Sequence, residues 1–155
     1  MTPSVPDASA CAESADEIAR RSAERLWQED HAAQALGVEI VSVTAGRATL
    51  RMTIRQNMVN GHGSCHGGYL FAIADTAFAY ACNSFNQRAV AGSAEINFLA
   101  PAQLGDTLTA TGFLRQQGGR SGVYDVEVSN QQGDLLALFR GCCVRIRQTL
   151  YDFTA

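Results

Sequence analysis

From Val38 onward the chain alternates, with Val38, Ile40 and Ser42 in one phase and Glu39, Val41 and Val43 in the other. Gly46 supplies a turn, after which Ala48, Leu50, Met52 and Ile54 alternate with Arg47, Thr49, Arg51 and Thr53. A period of two broken by a glycine turn predicts a β-hairpin. Upstream the period is that of a helix: Ile18, Ser22, Leu26, Trp27 and Ala33 recur at three- and four-residue steps. This predicts one amphipathic helix over residues 16–35, lying on the domain and ended by Gly37. From Tyr69 to Cys82 the period vanishes, because Phe71, Ile73, Ala77, Phe78 and Tyr80 cover every face and Asp75 is the single charged side chain. A helix with no polar face is a buried helix, predicted here over residues 66–84. Further strands are predicted at 89–99, 107–117, 121–129 and 135–147, separated by Pro101 with Gly105-Asp106, by Gly118-Gly119 and by Asn130 to Gly133. Connections this short favour antiparallel neighbours.

The element order predicts an α+β domain, an antiparallel sheet curling around the apolar helix, with an extra helix at its N-terminal side. Such a sheet keeps exposed edges, so self-association is expected. A length of 155 residues fits one domain, placed at residues 15–149, with the Ala/Ser/Pro-rich residues 1–14 as a mobile tail and residues 150–155 as a C-terminal tail. A hydrophobic fraction of 46% with 17% charged residues describes a packed globular chain. The net charge of -3 offers no basic field for a nucleic acid partner. The longest apolar run, interrupted by Asp75, is too short for a bilayer span, and the first residues show neither a basic start nor a continuous apolar segment. A cytoplasmic protein without membrane attachment is therefore expected. The five cysteines, Cys11, Cys65, Cys82, Cys142 and Cys143, are an odd number and predict reduced thiols, with Cys82, Cys142 and Cys143 in the core and the neighbours Cys142 and Cys143 on opposite strand faces.

The candidate chemistry lies at the start of the apolar helix. An ionised Asp75 in such a helix costs roughly several kcal/mol unless partners or a function compensate, so a catalytic carboxylate is weighed against a structural buried acid. Gly67 and Gly68 open the helix, where backbone N–H groups lack partners and the dipole is positive. Donors fixed there stabilise the charge that develops on a carbonyl oxygen during acyl transfer, and glycine permits close approach. Gly67 and Asp75 lie about 12 Å apart along a helix, whereas two groups serving one carbonyl must each come within about 3 Å of it. The geometry therefore pairs Gly67 of one subunit with Asp75 of another across a two-fold interface. His66 suits a ring that hydrogen-bonds the loop or the substrate, or a helix cap. Asn60 suits a holder of water or carboxylate, or a turn residue before Gly61. His62, Cys65 and His66 carry metal-binding side chains, but the remaining histidine, His31, is distant in sequence and a four-ligand set is not formed, so no metal is expected.

The runs Asn60-Gly61-His62, Cys65-His66-Gly67-Gly68 and Ala74-Asp75-Thr76-Ala77-Phe78-Ala79-Tyr80-Ala81-Cys82-Asn83-Ser84 resemble the hotdog-fold thioesterases of PaaI type from phenylacetate degradation. The similarity extends to Gly105-Asp106-Thr107-Leu108-Thr109-Ala110, Gly122-Val123-Tyr124-Asp125, Asn130-Gln131-Gln132 and Ala137-Leu138-Phe139-Arg140-Gly141, covering residues 35–147. The resemblance implies a hotdog fold, a homotetramer built as a dimer of dimers, and hydrolysis of aryl-acetyl-CoA thioesters, notably hydroxyphenylacetyl-CoA. Coenzyme A is then part of the substrate and no cofactor is implied. By motif position Asp75 is the catalytic carboxylate, Gly67 the oxyanion-binding amide, and Asn60 and His66 hold substrate and water. Gly68 and Thr76 become candidate substrate contacts. Arg120 and Ser121, in Gly118-Gly119-Arg120-Ser121-Gly122, are candidates for the nucleotide end of coenzyme A, against a solvated turn arginine. Whether Asp75 attacks or acts as a base stays open, as do two other readings: a hotdog enoyl-CoA hydratase or dehydratase, and a non-catalytic acyl-CoA-binding module. Tyr69, Phe71, Phe78 and Tyr80 suit either the core or an aromatic acyl pocket.

Overall fold

A computed structural model describes residues 13–153; residues 1–12 of the expected N-terminal tail lie outside it. Ser14 begins the first helix, α1 (Ala15–Trp27), by accepting the Glu17 N–H on its side chain. The single helix expected over 16–35 is in fact two. Asp30 caps a new helix, α2 (His31–Leu36), by accepting the Ala33 N–H at 3.1 Å, and its other oxygen accepts the Tyr80 hydroxyl at 3.1 Å. A carboxylate that favours a helix start, tied to the central helix, breaks the run that apolar spacing alone would continue. Gly37 ends α2 with φ of 72°.

The hairpin forms from β1 (Glu39–Thr44) and β2 (Arg47–Thr53). A bulge between Ile40 and Ser42 breaks the simple alternation of β1 and leaves Val41 45% exposed. A 3-10 turn at Gln56–Met58 leads to the central helix α3 (Gly67–Cys82), followed by β3 (Ala89–Phe98), β4 (Thr107–Gly118), β5 (Ser121–Ser129) and β6 (Leu135–Arg145). The strands form one antiparallel six-stranded sheet in the order β1-β2-β4-β5-β6-β3. β4, β5 and β6 are neighbours, as their short turns require. β3 pairs with β6 rather than β4, so the Pro101 and Gly105 connection is a crossover and not a hairpin. β3 thereby becomes an edge strand, exposed over most of its length, with Val90 and Phe98 49% and 55% exposed.

The sheet curls around α3. Phe78 packs edge-on against Tyr124 and tilted against Phe139, and Phe71 meets Phe139, so these aromatics serve as core. Two strand glycines set how closely the helix sits. A Cβ at Gly112 would lie 3.0 Å from the Ala77 carbonyl oxygen, and one at Gly141 would lie 2.8 Å from the Phe78 ring. α3 is not submerged on all sides, however. Gly68, Ala72, Asp75, Thr76 and Ala79 form a stripe of small residues, exposed at Gly68 and half-buried beyond it, facing away from the sheet.

At the far end of α3, Asn83 donates to the Ala79 and Ala89 carbonyls and accepts the Ala89 N–H, fastening the helix to β3. Asn86, at φ of 53°, accepts the N–H groups of Leu150 and Tyr151, so the chain through Tyr151 is tied to the fold where a tail was expected. Cys82 and Cys143 are buried. Cys142, expected in the core, is half-buried because the strand alternation turns it to the outer face.

Candidate active site

The loop before α3 is folded by Asn60. Its side-chain oxygen accepts the N–H groups of His62 at 2.9 Å and Ser64 at 3.3 Å, while its own N–H donates to the Ser64 carbonyl at 2.8 Å. Asn60 is thus a turn former whose side-chain NH2 remains available to a ligand. Two backbone bonds moor the loop, Cys65 N–H to the Ala102 carbonyl and His66 N–H to the Met58 carbonyl, each at 2.8 Å. His66 then caps α3, its ring Nδ1 accepting the Gly68 N–H at 2.9 Å, and its carbonyl accepts the Tyr69 N–H. With Gly68 and Tyr69 satisfied, the Gly67 N–H has no acceptor among the described residues. It is the free donor of a helix start.

A cleft of about 470 Å³ opens beside it, lined by Cys65, Gly67, Leu70, Phe98, Leu99 and Pro101 among others. The Phe98 ring occupies the space a Gly67 side chain would need, since an added Cβ would lie 2.9 Å from its Cζ. Phe98 comes from the end of β3, and nothing in the sequence places it there; only the pairing of β3 with β6 does. The apolar lining with a few polar groups suits an organic ligand.

Asp75 sits halfway along α3 in the uncovered stripe. Its carboxylate has no hydrogen-bond or ion-pair partner among the described residues, and burial raises its pKa above the ordinary aspartate value. Thr76 is beside it, with its hydroxyl donated to the Ala72 carbonyl at 2.7 Å. Within one chain the eight residues between Gly67 and Asp75 keep them about 12 Å apart along the axis.

Arg120 and Ser121 lie elsewhere. They occupy the β4–β5 turn, where Arg120 Nε donates to the Arg145 carbonyl at 3.4 Å and the Arg145 guanidinium covers the Phe85 ring beyond the last turn of α3. That is the opposite end of α3 from Gly67, so one chain does not bring them to the cleft. His62 is exposed, while Cys65 is buried and its thiol is pushed up to about 11 by burial, which leaves it inert rather than a ready ligand. Among the described residues no three His, Cys, Asp or Glu side chains converge as a metal site.

The site thus offers a free amide at a helix start, an unpaired acid two turns further along the same helix and an apolar cleft. The thioesterase superfamily profile matches residues 62–137. Acyl-coenzyme A thioesterase PaaI of Escherichia coli K12 is 52% identical over 130 residues, spanning 84% of this chain and 93% of that one. The chain belongs to the thioesterase superfamily. The solved structure of the E. coli PaaI protein from the phenylacetic acid degradation operon superposes on this thioesterase with a TM-score of 0.86, at 51% identity, covering 88% of this chain and 99% of that one. A mutant of phenylacetic acid degradation protein PaaI from Thermus thermophilus gives a TM-score of 0.73 at 34% identity, over 76% of this chain and 100% of that one. A hypothetical thioesterase protein from Streptococcus pneumoniae, solved with coenzyme A, gives a TM-score of 0.70 at 28% identity, over 72% of this chain and 90% of that one. The hotdog fold and the PaaI-type acyl-CoA thioesterase grouping expected from the motifs are thus shown for this enzyme.

Proposed function

We propose that the enzyme hydrolyses aryl-acetyl-CoA thioesters, with (hydroxy)phenylacetyl-CoA as the preferred class, at sites shared between two protomers. The observation that carries the shared site is the separation of the free Gly67 amide and the unpaired Asp75 carboxylate on one rigid helix. The stripe Gly68, Ala72, Thr76 and Ala79 lets a second α3 approach closely, and the exposed edge strand β3 offers unpaired backbone groups to a second copy. An antiparallel pair of α3 helices then sets Asp75 of each protomer against the Gly67 amide of the other. A homotetramer, a dimer of such dimers, is the assembly this reading adopts.

The thioester carbonyl oxygen takes the Gly67 amide, whose charge stabilisation grows as the tetrahedral species forms. Phe98 and Leu70 form the apolar wall of the cleft and the Asn60 NH2 orients the bound group. Gly68 supports the His66 cap, and Thr76 borders the acid. Asp75 either attacks the carbonyl carbon, giving a mixed anhydride that water cleaves, or takes a proton from the attacking water; both release the free acid and coenzyme A. Oxygen-18 water in a single turnover separates them, because only the anhydride route leaves label in Asp75. Arg120 and Ser121 serve the nucleotide end of coenzyme A from another subunit. His66 is held at Nδ1 by Gly68, which counts against the mobile histidine a hydratase would need.

Among the described residues no helix is long and apolar enough to cross a membrane, and a cytoplasmic site of action fits a coenzyme A substrate. A screen of thiol release from phenylacetyl-, 3-hydroxyphenylacetyl-, acetyl- and hexanoyl-CoA tests the assignment. The highest kcat/KM is expected for the aryl-acetyl esters. A preference for hexanoyl-CoA would remove the substrate class, and no release from any ester would remove the activity.

A further inference from the structure

One turn beyond Asp75, the stripe of small residues on α3 ends at Ala79, and there a second cavity of about 310 Å³ opens. Leu26, Asp30, Tyr80, Arg88 and Leu150 border it with Ala79, so it lies between the end of α1, the start of α2 and the face of α3 that carries Asp75. Two of its polar groups are joined. The buried Tyr80 donates its hydroxyl to Asp30 Oδ2 at 3.1 Å, while Asp30 Oδ1 accepts the Ala33 N–H at 3.1 Å. Capping α2 occupies one carboxylate oxygen, and Tyr80 takes one lone pair of the other, so Oδ2 keeps acceptor capacity. Arg25 is committed to Glu29 at 3.0 Å, whereas the Arg88 guanidinium has no carboxylate partner among the described residues.

We propose that this cavity holds the aryl ring of the acyl group and that Asp30 Oδ2 reads a hydroxyl on that ring. The inference rests on the aryl-acetyl assignment and sharpens it, because it makes a hydroxylated ring the preferred one. Reach supports the placement. From a carbonyl carbon beside Asp75, one methylene and a ring carry a hydroxyl roughly 6–7 Å away at bond lengths of about 1.5 Å. Asp75 to Ala79 is four residues, about 6 Å of helix. The volume is at the small end of ligand sites, which begin at roughly 300 Å³, so it suits one ring and not the pantetheine arm. That arm takes the other side of the carbonyl, along the cleft beside Gly67 of the partner subunit.

Leu26 and Leu150 supply apolar surface to the ring, and Arg88 supplies a planar cation for its face. A ring hydroxyl donated to Asp30 is a charge-assisted hydrogen bond that an unsubstituted ring cannot make. A site built around such a bond selects against the analogue that lacks the hydroxyl.

The test measures kcat/KM of the full chain for phenylacetyl-, 3-hydroxyphenylacetyl- and 4-hydroxyphenylacetyl-CoA, with hexanoyl-CoA for comparison. One hydroxylated ester should exceed the unsubstituted one by about 10-fold or more, the scale of a hydrogen bond to a charged group. Asp30→Asn keeps the α2 cap through its amide oxygen and sets an NH2 donor where Oδ2 stood, so it should bring that ratio close to one. Tyr80→Phe breaks the same bond to Asp30 but leaves the carboxylate, and should keep the ratio. Asp30→Ser, also a capping residue, takes the place of Asp30→Asn should the latter not fold. Equal losses on both esters in Asp30→Asn, with the ratio unchanged, would reduce Asp30 to a cap and overturn the proposal. A wild-type ratio near one with aryl esters still preferred would overturn it and leave the aryl-acetyl assignment standing, whereas a preference for hexanoyl-CoA would overturn both.

Discussion

The Nδ1 of His66 accepts the Gly68 N–H at 2.9 Å, and with the Tyr69 N–H on the His66 carbonyl this leaves the Gly67 N–H as the amide without an acceptor at the start of α3 among the described residues. Capping by the ring places the imidazole proton on Nε2, and Gly67, whose N–H has no acceptor among the described residues, lines the cleft. His66→Ala should remove the cap at a cost of about 1 kcal/mol in unfolding free energy, whereas His66→Ser, a competent cap, should recover most of it. Urea titrations of the two variants check this. Equal losses would mean the ring does not cap the helix.

Asp75→Asn is expected to lower kcat by about 10²–10⁴-fold with the fold intact. The carboxylate has no partner to lose, so its neutralisation leaves no orphaned group and should not lower Tm. Thiol-release kinetics beside a thermal melt check both halves. A large fall in Tm would place Asp75 in a structural role.

The same burial sets a pH dependence. Because the folded pKa of Asp75 is raised above the ordinary 3.8, the folded chain keeps a proton that the unfolded chain releases between 3.8 and the raised value. Wild-type stability relative to Asp75→Asn should therefore fall as pH rises through that window and stay lower above it. The acid limb of kcat/KM should also lie above pH 3.8. Melts of the pair from pH 3.5 upward show the sign, and a gap that widens in the wild type's favour would contradict it.

Gly67→Pro removes the amide donor while suiting the first position of a helix. His66 is already extended, at φ of -61° and ψ of 132°, as a residue before proline must be. Gly67→Ala keeps the donor but pushes its Cβ toward the Phe98 ring. The proline variant should lose about 10²–10³ in kcat, the scale of one oxyanion donor. Gly67→Ala should recover activity when Phe98→Leu makes room. If Gly67→Pro turns over like wild type, the amide is not the donor.

Much of the fold was legible because its signals are local. The Gly46 turn, the alternation of β2 and the absence of a polar face on α3 each follow from neighbouring residues. What the sequence concealed depends on distant partners. The break at Gln28–Asp30 arises where Asp30 meets Tyr80, although an aspartate three residues before Ala33 is itself a capping signal. The pairing of β3 with β6 brings Phe98 onto Gly67 and was not readable from the Pro101 connection. Asn60 and His66 each admit two roles by residue type, and the structure shows the bland one in both, a turn former and a cap, with polar atoms to spare. Arg120 and Ser121 group with the site by motif alone, and the β4–β5 turn carries them to the other end of α3.

The shared site is tested most directly by mixing inactive subunits. Asp75→Asn and Gly67→Pro proteins, each expected to keep at most about 1% of wild-type turnover alone, are unfolded together and reassembled, and thiol release is measured. A mixed dimer holds one site with both defects and one with neither, so random pairing should restore about a quarter of the wild-type sites. No recovery, with mixed dimers demonstrated by mass, would mean that each chain builds its site alone.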